Sequence, residues 1–140
     1  MSFREKSAWI SFIVILAVFG IYFGSVAQHL LSPLRAHGNY FHLFVALLVI
    51  VIVLEVVLHV LVAIRAPSEA AARRDERERF IELKATRVAF FVLMVGAFLS
   101  IGTIHVSTSP WLVGNAVFFA IWIAELTRLG SQVVLFRRLS

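Results

Sequence analysis

The chain has 140 residues, 61% of them hydrophobic and 15% charged, and no cysteine. Soluble domains carry about 25% charged and under about 50% apolar residues, so water is the wrong solvent for most of this chain; the lack of cysteine excludes disulfides, thiolate metal sites, iron–sulfur clusters and thiol nucleophiles. Thirteen Lys and Arg against eight Asp and Glu give a formal charge of +5, which basic residues flanking membrane segments explain without a nucleic-acid partner.

Arg4 and Lys6 precede the first apolar segment, residues 8–31. Ser25-Val26-Ala27 before Gln28 imitates a signal-peptide cleavage site, but the apolar stretch is longer than a typical h-region, so a retained transmembrane helix is expected. After the connection SPLRAHGN comes the second segment, 40–64, which contains IVLEVVLHVLV. Glu55 and His59 are four residues apart there, one turn along a single helix face. An ionised group in the bilayer costs roughly 2.5 to 3.5 kcal/mol on insertion scales, so a partner elsewhere in the chain should offset that cost.

The next connection, 65–84, is charged and rich in helix formers. Pro67 and Ser68 should break the second helix, and Asp75 with Glu78 fits a capping box in which Asp replaces Ser or Thr. Opposite charges recur at helical spacing in Arg74 with Glu78 and Glu76 with Arg79. The third helix is therefore expected to start within the connection and run unbroken through the third apolar segment, 85–106. Arg73, Arg74, Arg77 and Arg79 form a candidate surface for a cytoplasmic partner or anionic headgroups; a solvated helix extension is the plainer reading. STSP then leads to the fourth segment, 111–127, with an extension to about residue 136. Each segment provides the ~20 residues that cross a ~30 Å hydrocarbon core, the fourth only if Arg128 lies at the interface.

These elements predict an all-α, polytopic membrane protein, a single domain (1–140) built as a four-transmembrane-helix bundle. Basic residues gather at the termini and the 65–84 connection, whereas SPLRAHGN and STSP hold one Arg between them, so both termini are expected in the cytoplasm. GIYFGSVAQH, 20–29, can be laid on GAFLSIGTIH, 96–105, matching Gly20 to Gly96, His29 to His105, Gly38 to Gly114 and Asn39 to Asn115. That pattern suggests a duplicated helical hairpin with a pseudo-two-fold along the membrane normal. Small residues at Gly20, Gly24 and Ala27, and at Ala85, Ala89, Gly96, Ser100, Thr103 and Ser107, read as helix contact stripes.

Two polar clusters stand out. The inner one joins Glu55 and His59 to Glu125, Arg128 and Gln132, which follow i, i+3, i+7 on the fourth helix at a compatible depth. It predicts an interhelical clasp in which Arg128 pairs with Glu55 or Glu125 and His59 donates. A proton or ion pathway through Glu55, His59 and Glu125 is the functional alternative. A metal site at Glu55 and His59 is poorly supported, because di-iron bundles use Glu-x-x-His and more carboxylates. The outer cluster holds His29, His37, His42 and His105. Paired His29 and His105 would suit haem b, and with His42 they would suit a transition metal, but interfacial histidines reaching water require no ligand. No cofactor is expected.

DERERFIELKATRVAFFVLMVG, 75–96, resembles the signature of a family of small bacterial and archaeal predicted membrane proteins of unknown function, in which a D-E-R-x-x-x-I-x-x-K-A-like run leads into a transmembrane helix. The resemblance implies a multi-pass protein of the bacterial or archaeal cytoplasmic (inner) membrane and no established enzymatic activity; it carries over no catalytic residues. Neither a phosphate-binding loop nor a Ser-His-Asp arrangement is present. The expected function is that of a non-enzymatic accessory or regulatory membrane component, with the lipid bilayer, a cytoplasmic protein and a second copy of the chain as candidate partners.

Overall fold

The computed structural model describes residues 3–31, 40–65, 67–68, 75–106 and 109–138. Among these residues four long helices are described: α1 (Phe3–Leu31), α2 (Tyr40–Arg65), α3 (Glu76–Val106) and α4 (Pro110–Arg138). All four are long and apolar enough to cross a membrane. The Val- and Ile-rich centre of α2 has the composition of a strand. In hydrocarbon, however, each backbone N–H and C=O must be satisfied within its own segment, and 26 residues without a break give a helix.

Charged flanks extend the helices beyond their apolar limits. Helix α3 starts at Glu76, nine residues before the apolar run, and continues through it without a break. Asp75 caps it, but not as a capping box: its carboxylate accepts from the Glu76 N–H at 2.7 Å, and its carbonyl accepts from the Arg79 N–H at 3.1 Å. Glu78 points away from the cap and pairs with Arg4 of α1 at 2.6 Å. The predicted Arg74–Glu78 pair involves a residue outside those described. Helix α2 ends at Arg65, as expected from Pro67 and Ser68, and those two residues are themselves helical.

Packing joins α3 to α4, α1 to α2, and α1 to α4. The helices therefore run in the order α2–α1–α4–α3, each antiparallel to its neighbour, with α1 and α4 central. A two-fold relating the hairpins would make an α2–α3 interface equivalent to the α1–α4 one, and α2 and α3 form no extended interface.

The small-residue stripes divide between the hairpins. On α3 the expected contact face is real: Ala85 and Ala89 are buried, as is Ser100, and a Cβ added at Gly96 would lie 2.6 Å from the Ala120 Cβ of α4. On α1 the expectation fails, because Gly20 and Gly24 have open space where a side chain would stand and Ala27 is exposed. Helix α1 instead buries Val14, Val18, Tyr22 and Val26, four residues apart, with Phe19 beside them. Phe19, Tyr22 and Phe23 meet Phe44 of α2 or Phe118 of α4 edge-on or stacked, with centroids 5.2 to 5.8 Å apart, and Phe44 and Phe118 meet each other edge-on at 4.7 Å. Bulk, not smallness, holds these three helices together.

Candidate functional site

At the end of the bundle that carries the termini and the charged connection, here the basic end, all four helices line one cavity of about 250 Å³. Helix α1 contributes Arg4, Ser7 and Ser11; α2 contributes His59; α3 contributes Glu78 and Glu82; α4 contributes Arg128 and Gln132. Phe3 and Phe136 form apolar parts of the wall. The residues on α1 follow i, i+3, i+7, as do Glu125, Arg128 and Gln132 on α4, so each of these helices turns one polar ridge inward.

Glu55 stands beside this cavity. Its Oε2 accepts a hydrogen bond from the Ser11 hydroxyl at 2.8 Å and lies 3.1 Å from His59 Nδ1. His59 Nδ1 is also 2.7 Å from the Glu55 carbonyl oxygen, which can only accept, so Nδ1 carries a proton. The other carboxylate oxygen of Glu55, Oε1, is buried with no hydrogen-bond partner among the described residues. Across the cavity, Arg128 binds Glu125 in a fork, Nε to Oε2 at 2.9 Å and Nη2 to Oε1 at 2.5 Å.

The predicted clasp between α2 and α4 is thus not a direct one. At this level α1 lies between those two helices, which meet directly only nearer the opposite end through Phe44 and Phe118, so Glu55 takes its donor from Ser11, and Arg128 takes its carboxylate from its own helix. The two stripes are still brought to one place, because His59, Arg128 and Gln132 face the same cavity. Ser7, Ser11 and Arg4 were missed in sequence reasoning. Their signal was present as two hydroxyls and a cation on one face of an otherwise apolar helix.

Inter-helix ties close the basic end around the cavity. Besides Arg4 and Glu78, Arg77 donates from Nη2 to the Phe136 carbonyl at 3.3 Å, and the Arg137 guanidinium lies 5.1 Å from the centre of a Trp9 ring. Of the candidate partner surface, Arg77 is therefore held by α4, Arg79 is exposed, and Arg73 and Arg74 lie outside the described residues.

Away from the basic end the polar lining stops. Trp122 Nε1 donates to the Ile15 carbonyl at 3.2 Å, and beyond it the packed rings fill the centre. The next polar contact is at the opposite end, where the Tyr22 hydroxyl donates to Asn115 Oδ1 at 2.7 Å and Asn115 Nδ2 donates to the Trp111 carbonyl at 2.9 Å. Ser11 and Tyr22 are separated by ~16 Å of helix, filled by apolar and aromatic side chains.

The outer histidines do not converge. His29 lies edge-on to Trp111 of α4, ring centroids 5.6 Å apart; His105 is exposed on α3 and His42 is exposed on α2. Helix α4 stands between the helices bearing His29 and His105, and its Trp111 ring occupies space beside His29, which does not fit a haem held by those two residues. His37 lies outside the described residues. Among the described residues there is no group of three or more His, Asp or Glu placed to hold a metal ion.

Comparison with known proteins finds no matching family model, no matching curated protein and no matching solved structure.

Proposed function

We propose that this small integral membrane protein is a non-enzymatic accessory or regulatory component whose working site is the vestibule at its basic end. The single observation that carries this reading is the convergence of polar side chains from all four helices on one cavity, while the other half of the bundle is packed with aromatic rings. Such a shape receives a ligand or a partner segment from one side and offers it no way through. By the positive-inside rule the basic residues at this end favour a vestibule that opens to the cytoplasm, and the resemblance around residues 75–96 favours a bacterial or archaeal inner membrane. The resemblance around residues 75–96 to small membrane proteins of unknown function agrees with a role that needs no catalytic residues. Exposed Arg79 at the start of α3 belongs to the rim that a cytoplasmic partner would meet.

The test is a photo-crosslinking amino acid at Gln132, activated in native membranes. One adduct should recur with the full-length chain and be lost when Arg128 and His59 are both replaced by Gln. Recovery of lipid adducts only, or of the same adduct from the double variant, would refute the vestibule as the working site.

A second reading, proton or ion movement through Glu55, His59 and Glu125, is favoured by one feature, the buried and unpartnered Glu55 Oε1 at the inner side of the vestibule. The ~16 Å of packed side chains between Ser11 and Tyr22 opposes it. Liposome flux that is equal for the intact chain, Glu55→Gln and protein-free vesicles would end that reading.

A further inference from the structure

We infer that the outward face of α3 holds an anionic phospholipid, with its phosphate between Lys84 and Arg87 and one acyl chain in the groove between α3 and α4. Residues 88–106 carry no Asp, Glu, Lys or Arg, and at ~1.5 Å per residue they span ~28 Å, close to the ~30 Å hydrocarbon core. Arg87 therefore stands at the boundary of that core, and Lys84 one turn outside it, which is headgroup depth.

Both cations are exposed, and neither forms an ion pair with any described residue. This sets them apart from Arg4, Arg77 and Arg137, which are all engaged between helices at the same end. The Lys84 ammonium is 5.7 Å from the centre of the Phe80 ring, and exposed Leu83, Phe90 and Phe91 surround the pair. The acidic residues near them in sequence lie elsewhere: Glu78 and Glu82 line the vestibule, and Glu76, on the same side of α3, is ~16 Å of helix from Arg87. An anion with an apolar tail complements such a surface, whereas a soluble anion would leave the aromatic part of it exposed.

The tail has a place. Between α3 and α4 runs an open groove of about 280 Å³ bounded by Val92, Val95, Gly96 and Leu99 on one side and Phe119 and Ala120 on the other. Its two hydroxyls are already committed, Ser100 to the Gly96 carbonyl at 2.8 Å and Thr103 to the Ser100 carbonyl at 2.6 Å, so the groove offers no unfilled donor to a polar guest. Measured along the helix, the groove begins ~8 Å below Arg87 and ends ~24 Å below it. A chain descending from a phosphate at Arg87 covers the ~15 Å of one leaflet and so lies in the upper part of the groove. The pairing of two cations, neither ion-paired with a described residue, with an apolar groove that begins ~8 Å below Arg87 along the same helix separates this site from a general basic rim.

The experiment is native mass spectrometry of the full chain released from micelles doped with phosphatidylglycerol or phosphatidylcholine. Phosphatidylglycerol should be retained preferentially. Lys84→Gln with Arg87→Gln should weaken its retention about thirtyfold, from a contribution of about 1 kcal/mol per basic residue at a membrane surface. The charge-matched control Arg65→Gln with Arg138→Gln, two exposed cations at the same end, should leave it within a factor of about three, and the swapped pair Lys84→Arg with Arg87→Lys should retain the lipid and show that the face tolerates substitution. Leu99→Trp, which fills the groove, should weaken retention without removing charge. Equal retention of the two lipids, an equal loss in the control pair, or full competition by free glycerol phosphate would each overturn the inference, the last by making this a phosphate site without a lipid.

Discussion

Replacing glycine by alanine at three positions tests the packing with opposite signs. At Gly96 the added Cβ would stand 2.6 Å from the Cβ and 3.3 Å from the Cα of Ala120. Carbon atoms rest about 3.5 to 4.0 Å apart, so α3 and α4 must separate by roughly 1 Å at that level. Ala120 has no rotamer to yield, and it is buried beside a face that also holds Ala85, Ala89 and Ser100. Overpacking of this kind costs about 1 to 3 kcal/mol. At Gly20 and Gly24 there is nothing within 4 Å of the added atom, and the change should be neutral or stabilise by up to about 1 kcal/mol through helix propensity. Reversible unfolding in mixed micelles, followed through the fluorescence of Trp111 and Trp122 on α4, reads all three. Gly96→Ala should shift the transition to lower denaturant and the other two should not. A Gly96→Ala protein as stable as Gly24→Ala would show that α3 and α4 do not approach as closely as described.

The hydrogen bonds between helices give further outcomes. Ser11→Ala and Tyr22→Phe each remove one interhelical bond, to Glu55 and to Asn115, and should each cost about 0.6 to 1.7 kcal/mol in the same unfolding assay; no loss in either would show that the bond is absent in the membrane protein. Glu125→Gln should destabilise more than Glu125→Gln with Arg128→Gln together, because the single change leaves a half-exposed guanidinium without its carboxylate. The difference is limited to about 1 kcal/mol by the solvent exposure of the pair, and an additive double variant would refute the coupling.

Much of the fold was legible because the bilayer leaves few choices. An unbroken apolar run of sufficient length becomes a helix whatever its β-branched content, and the charges ahead of the third run showed that its helix begins early. Neighbour relations were less legible. Gly20-x-x-x-Gly24 and Gly96-x-x-x-Ser100 look alike as sequence, yet only the second is opposed by a small residue, Ala120, on the facing helix. A stripe of small residues states that close approach is permitted; the facing helix decides whether it occurs. The same reason limits the polar site. Glu55, His59, Arg128 and Gln132 were visible as costly residues at compatible depths, but the placement of α1 between their helices was not. Ser7 and Ser11 carried a weak signal because serine in a membrane helix usually bonds its own backbone, as Ser25 does to the Ile21 carbonyl at 2.9 Å.

Whether the two halves of the bundle differ in water as they differ in side chains decides between receiving and conducting. The chain has no cysteine, so each introduced one reports alone. Maleimides react with the thiolate, which forms only where water reaches the sulfur. Ser7→Cys and Gln132→Cys line the vestibule and should be modified rapidly by a membrane-impermeant maleimide added on the basic side, and Ser11→Cys more slowly at greater depth. Val18→Cys lies within the apolar cluster and should resist the reagent from both sides. Asn115→Cys, at the edge of the open groove formed with Tyr22 and Phe44, should react only from the opposite side. This pattern also fixes which end faces the cytoplasm in oriented vesicles. Labelling of Val18→Cys from either side would place water inside the aromatic layer, and a protein wet at that level has a path from Glu55 to Tyr22 that a closed vestibule does not.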